Sequence, residues 1–243
     1  MRLMRCSFVS MLVGLVGVVG CACVASAQIN SSGTSQRTSE IAKVQLPKDV
    51  YPDSLARLPL VKREEMDEYG KQVYDTVARS NPRYKDGVPG PVGMWMYSPR
   101  LAEHLIPIRN YIRTETPLGQ RLVELAILVT ARETDNQFEW AAHETIARNE
   151  GLESEIIEII KYRQEPSNLG EKEALIIRFG RELVGERKVH SETFADLLKV
   201  FGKQGLMDLQ ATMSLYNFMN ETIITFDAHR ERDREYPILP PLP

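Results

Sequence analysis

Glu124, Glu139 and His143 are the side chains of this 243-residue sequence best suited to moving a proton. Glu139 and His143 are four residues apart, which on a helix places them one turn from each other on a shared face. Free imidazole titrates near ~6.5 and a free Glu carboxyl near ~4.3, so the trio can hold and relay a proton around neutral pH. A plainer use fits the same spacing. Arg121, Glu124 and Arg132 can form a solvated stripe, and Glu139 with His143 an ordinary surface pair, because structural ion pairs also perturb pKa values.

The elements that must position the trio lie between Pro117 and Gly151, a stretch that reads as two consecutive helices. The first opens with Pro117 at its start and runs through Leu122, Val123, Leu125, Ala126, Ile127, Leu128, Val129 and Ala131. It is apolar on nearly every side and belongs in the middle of a protein, with Glu124 inside the run. If buried there, Glu124 should have a raised pKa. The second starts near Asp135 and Asn136, both good cap residues, with Phe138, Ala142 and Ile146 as its expected packing stripe.

The segment ELAIL, an Arg a few residues on, then EWAAHETIA and a Gly-Leu opening the next helix resembles the carboxymuconolactone decarboxylase and alkylhydroperoxidase D superfamily. The resemblance extends from about Val88 to about Asp227. It implies an all-α, alkylhydroperoxidase D-like helical bundle. In the peroxidase branch the motif is a Glu followed by Cys-x-x-Cys-x-x-x-His. With His143 on the motif His, Glu139 falls at the second Cys, Asn136 at the first and Glu124 at the upstream Glu. Both thiols are absent, and the Glu-x-x-x-His arrangement resembles the decarboxylase branch, which works without metal or organic cofactor. The resemblance also implies a homo-oligomer, trimer or hexamer.

Residues 1–27 carry two Arg, an apolar run and Ala25-Ser26-Ala27 before Gln28, the pattern of a secretory signal peptide, too short for a membrane span. Val18-Val19-Gly20-Cys21 offers a competing, lipoprotein-like cleavage box that leaves a lipid anchor on Cys21. Either way the folded domain is expected outside the cytoplasm, periplasmic or secreted. All three cysteines, Cys6, Cys21 and Cys23, fall in this leader, so cleavage after Ala27 removes every thiol. It also removes Arg2 and Arg5, moving the formal charge from −3 to −5. A mildly acidic chain without a basic cluster gives no support for nucleic-acid binding.

Residues 28–46 are rich in Ser, Thr, Gln and Gly and read as a flexible linker; residues 47–243 read as one helical domain. Arg63 to Arg79 is an amphipathic helix on Met66, Tyr69, Val73 and Val77. Asn81 to Pro99 is a Gly- and Pro-rich stretch whose Met94 and Trp95 either plug the core or wall a pocket. Ser98 caps the next helix, which Pro107 should kink or break. Further helices follow on Ile156 to Ile160, on Ala174 to Leu183, from a Ser191 cap, and from Gly205 to about Ala228. The charged and proline-rich C-terminus should lie extended, on a neighbouring subunit for instance.

By resemblance, His143 is the proton donor or acceptor, Glu124 shares or relays that proton, and Glu139 orients the imidazole. Trp140 is a candidate to line the pocket and Arg132 to hold an anion; the expected partner is a small-molecule substrate, a carboxylated lactone or related acid. Three alternatives stand beside this lyase. A hydroperoxide reductase needs thiols; a metal site on Glu124, Glu139 and His143 departs from the Glu-x-x-His spacing of ferritin-like sites; and a non-catalytic helical oligomer would bind a ligand without turnover.

Overall fold

The computed structural model describes residues 46–84, 86–231 and 235–242, all within one unit spanning Ile41–Pro243. The expected signal peptide, the Cys21 anchor and all of the linker except Leu46 lie outside the described residues. Among the described residues eight α-helices follow one another: α1 Glu68–Ser80, α2 Gly90–Trp95, α3 Pro99–Asn110, α4 Gln120–Glu133, α5 Gln137–Asn149, α6 Ser154–Lys161, α7 Glu171–Gly180 and α8 Ser191–Phe226. Among the described residues there is no strand, only an isolated bridge between Tyr51 and Ala56. The fold is an all-α bundle.

Helix α4 is its axis. Every residue from Val123 to Arg132 is buried, as a helix apolar all round requires, and α5, α6, α7 and α8 all pack against it. On one side Leu125, Leu128 and Val129 join Trp140, Ile157, Ile176, Leu197 and Met213 in the larger core. On the other, Val123 and Ile127 meet Val77, Trp95, Ile106, Ile112 and Met219. Each such aliphatic side chain contributes roughly 1.5–3 kcal/mol by leaving water.

Several local expectations are corrected. Helix α4 begins at Gln120 rather than Pro117, because Gly119 takes φ 79°, a left-handed conformation that suits glycine and turns the chain into the helix. Pro107 neither breaks nor ends α3. The helix runs through it to Asn110 and then widens into a π-helical turn, Tyr111–Glu115. Ser98 occupies the N-cap of α3 but its side chain makes no capping bond. At α8 the cap position is His190, and the work falls to Glu182: its carboxylate accepts from His190 N at 2.8 Å and from Thr193 Oγ1 at 2.6 Å. Gly202, at φ 67°, divides α8 into the two segments read from the sequence.

The orientation of α5 also differs. Phe138, Ala142 and Ile146 are only half-buried, and the face turned into the protein carries Glu139, Trp140, Ala141, His143, Glu144 and Ala147. The C-terminal segment is extended, as expected, but lies on its own chain. Gln137 Nε2 donates to Pro237 O at 2.8 Å, Leu239 N donates to Gln137 Oε1 at 2.6 Å, and Leu239 enters the larger core.

Candidate active site

Asn136 fixes the start of α5: its side-chain oxygen accepts from Glu139 N at 3.0 Å, the cap read from the sequence. Its amide also donates to Asn220 Oδ1 on α8 at 2.5 Å, tying the helix start to the bundle. About two turns into α5, His143 faces α4. Its Nδ1 lies 2.7 Å from Glu124 Oε2, and its Nε2 lies 3.4 Å from Glu139 Oε2. The solvated stripe and the surface pair are thereby corrected, since Glu124 is fully buried, Glu139 is 3 % exposed and His143 8 % exposed.

Two residues not singled out in the sequence complete the cluster. Arg113, from the π turn, places Nη1 2.5 Å from Glu124 Oε1 and donates to Tyr216 Oη at 3.3 Å. The Tyr216 ring stands edge-on to the imidazole, with centroids 5.1 Å apart and planes at 89°. Arg113 Nη1 also lies 3.3 Å from His143 Nδ1. A guanidinium has no acceptor, so Nδ1 donates to the carboxylate, and Glu124 lies between two basic groups, hydrogen-bonded to the imidazole and ion-paired with Arg113.

Burial pushes Glu124 up, the largest single influence, yet the bond from His143 and the Arg113 charge outweigh it and hold the carboxyl below its ordinary range. The expected raised pKa is corrected: the helix is as apolar as anticipated, but two cations reach into it. Burial likewise pulls His143 down, and the bonds to Glu124 and Glu139 win, leaving the imidazole raised. Arg113 is also raised, burial being outweighed by Tyr216 and Glu124. Tyr216 is pushed up to about 12, chiefly by burial, and stays a neutral phenol.

The other expected site residues are elsewhere. Arg132 donates to Lys161 O at 3.1 Å and Pro240 O at 2.7 Å and pairs with Asp135, so its guanidinium secures the C-terminal segment instead of facing the trio. Trp140 is fully buried in the larger core, its Nε1 donating to Glu144 Oε2 at 2.6 Å. Met94 and Trp95 are core residues that also line a groove of about 380 Å³ with Tyr97, Leu101 and Phe218, and Trp95 Nε1 donates to Thr222 Oγ1 at 3.3 Å. A second groove, about 590 Å³, runs between α1 and α3. None of Glu124, Glu139 and His143 lines either groove. Among the described residues no group of three His, Cys, Asp or Glu side chains is arranged to hold a metal ion, and no helix is long and apolar enough to cross a membrane.

What the cluster can do follows from its charge. An imidazole with a raised pKa held between two carboxylates can serve as a proton source whose two ends differ: Nδ1 is tightly engaged, while the longer Nε2 contact is the easier to open. Sequence reasoning found the trio but not Arg113 or Tyr216. The available signal was the four-residue spacing of Tyr216 and Asn220, which puts two polar-tipped side chains on the buried face of α8.

No family model and no curated protein matches this chain. Among solved structures it is similar to a cysteine-to-alanine variant of the debrominase Bmp8 in complex with 2,3,4-tribromopyrrole, at 12% identity and TM-score 0.56, over 72% of this chain and 91% of that one. The two share a fold.

Proposed function

We propose that this chain is a member of the carboxymuconolactone decarboxylase and alkylhydroperoxidase D-like superfamily, acting as a cofactor-free lyase on a small carboxylated lactone or related acid. The observation that carries the proposal is His143 clamped between Glu124 and Glu139 with Arg113 on the far oxygen of Glu124. The fold shared with the debrominase and the Glu-x-x-x-His motif support the same assignment.

Loss of CO2 from an acid whose carboxylate sits on a saturated carbon next to a carbonyl, or next to a double bond conjugated with one, breaks one C–C bond and sends its electron pair into that carbonyl. The resulting enolate takes one proton at carbon, and CO2 leaves neutral. His143 supplies that proton from Nε2 and regains one from water. Glu124 remains ionised throughout and serves as the counter-ion that keeps the imidazole charged, in place of a proton store. Tyr216 and Arg113 shape the charge beside it. Substrate reaches the cluster at the exposed edge of His143 and Arg113, the two members with side-chain exposure of 10 % and 18 %.

The direct test is CO2 release from a panel of small unsaturated lactone acids. His143→Gln and Glu124→Gln should each abolish turnover. A wild-type chain that binds such acids without releasing CO2 would instead be a ligand-binding protein. We further propose that residues 1–27 are an export signal, that residues 47–243 form the catalytic domain, and that the chain assembles as a trimer or hexamer. If residues 1–27 are removed, the mature chain has no cysteine and the hydroperoxide-reductase alternative loses its nucleophile. Intact-mass and size-exclusion measurements on exported protein decide these points.

A further inference from the structure

Gln137, the first residue of α5, is exposed, yet both ends of its side-chain amide are engaged. Nε2 donates to Pro237 O at 2.8 Å and Oε1 accepts from Leu239 N at 2.6 Å, so the side chain pairs with the C-terminal segment as a peptide unit of a neighbouring strand would. Three further contacts hold the same segment. Buried Arg132, near the end of α4, donates from Nη1 to Pro240 O at 2.7 Å. The Arg230 guanidinium lies 5.2 Å from the ring centroid of Phe138 on α5 and 4.2 Å from that of Tyr236. Leu239 is buried in the larger core, while Ile238 beside it is exposed, the alternation of an extended chain. Pro237, Pro240 and Pro241 stiffen the segment before it docks, which lowers the entropy lost on docking.

The segment thus bridges the end of α4 and the start of α5, the two helices that carry the proton cluster. Glu124 lies eight residues before Arg132, about 12 Å along α4, and His143 six residues after Gln137, about 9 Å along α5. Over that lever a tilt of about 10° at the first turn of α5 carries His143 roughly 1.5 Å, enough to open its 2.7 Å hydrogen bond to Glu124. The bond between Asn136 and Asn220 holds this turn against α8, and the C-terminal segment ties it to the end of α4.

We propose that the C-terminal segment is a strap that keeps α4 and α5 in register, and that Gln137 is the positioning residue through which it sets the contact between His143 and Glu124. The strap stands on its own contacts. Its effect on turnover rests on the lyase assignment.

The test is an NMR titration of the His143 imidazole in the full chain, its resonance identified by its loss in His143→Gln, with hydrogen exchange at the Leu239 amide reporting whether the strap is docked. In wild type the Leu239 amide should be protected and the imidazole midpoint raised. Gln137→Ala is an exposed change that leaves the Asn136 cap bond in place, and Leu239→Ser removes the anchor of the segment in the core. Each should expose the Leu239 amide and lower the midpoint by about half a pH unit or more, at least a roughly threefold weaker hold on the proton. Thr193→Ala weakens the fold at the start of α8, where Thr193 bonds Glu182, and should leave the midpoint in place. A Leu239 amide that is unprotected in wild type or still protected in Gln137→Ala overturns the proposal. So does a released strap with an unmoved midpoint, or an equal fall in Thr193→Ala. The titration requires no substrate. If the variants behave as stated while wild type releases no CO2 from any lactone acid, the strap stands and the lyase assignment falls.

Discussion

His143 Nδ1 and Glu124 Oε2 lie 2.7 Å apart across the α4–α5 contact, and Glu124 Oε1 is 2.5 Å from Arg113 Nη1. A single fully buried carboxylate thus bonds an imidazole and pairs with a guanidinium. Its burial is tolerated because both of its oxygens face a cation.

Removing that carboxylate charge leaves Arg113 uncompensated and His143 with Glu139 alone. Glu124→Gln should destabilise the fold by about 3–5 kcal/mol, the cost of breaking a buried pair from one side. Replacing Arg113 by Met in the same chain should recover part of the loss, since the stranded guanidinium goes with it. Urea unfolding of the two single variants and the double variant measures the coupling. Additive losses would show that the pair does not interact.

The two pKa shifts set opposite limbs of stability against pH. His143 is raised above 6.5, so its contribution is complete below about 6.5 and is lost as pH rises through the folded value. Glu124 is held below 4.5, so its contribution is complete above about 4.5 and is lost as pH falls through the folded value. Deprotonated His143 would turn a lone pair on one of two carboxylates, which is why the alkaline limb exists at all. Unfolding midpoints taken from about pH 3 to about pH 10 should show a plateau between the limbs, and His143→Gln should erase the alkaline one. An NMR titration that places His143 below 6.5 would contradict the clamp.

Tyr216 offers a different separation. Its phenol, pushed up to about 12, stays protonated at working pH, so it cannot serve as a base. Tyr216→Phe keeps the edge-on ring and removes only the acceptor of the Arg113 bond, at about 1–3 kcal/mol of stability. Tyr216→Ala also opens the core beside Met219 and Ile127 and should cost about 3–5 kcal/mol. The pH profile of turnover should keep its shape in Tyr216→Phe. A lost limb in that variant would give the phenol a titrating role that its burial argues against.

Helix α4 was legible because ten successive buried positions are apolar or small apart from Glu124, Thr130 and Arg132, and Asn136 was legible because cap chemistry is local. Arg113 was not. It lies in a π turn beyond Pro107, where a proline suggested a broken helix, and nothing local announces that the chain continues in register to bring a guanidinium to Glu124. The inward face of α5 misled for a related reason. Phe138, Ala142 and Ile146 are the apolar choice, but Glu139 and His143 are buried because they pair with each other and His143 pairs with Glu124 of α4, beside which the π turn places Arg113. The docking of the C-terminus depends on Gln137 meeting Pro237 and Leu239, contacts far apart in sequence that no periodicity encodes.

Asn136 and Asn220 test whether the cluster is held from a distance. Asn136 caps α5 and donates to Asn220, which is buried on α8 one turn beyond Tyr216. Asn136→Ala removes a cap worth about 1 kcal/mol and strands the Asn220 oxygen for a further ~1–3 kcal/mol. Asn220→Ala leaves the cap bond to Glu139 N in place and should cost less. If the cap sets the angle at which α5 presents His143, Asn136→Ala should lower kcat by more than Asn220→Ala at temperatures where both variants are fully folded, with KM little changed in either. Equal kcat losses in the two variants would mean that the tie between α5 and α8, rather than the cap, orients the imidazole.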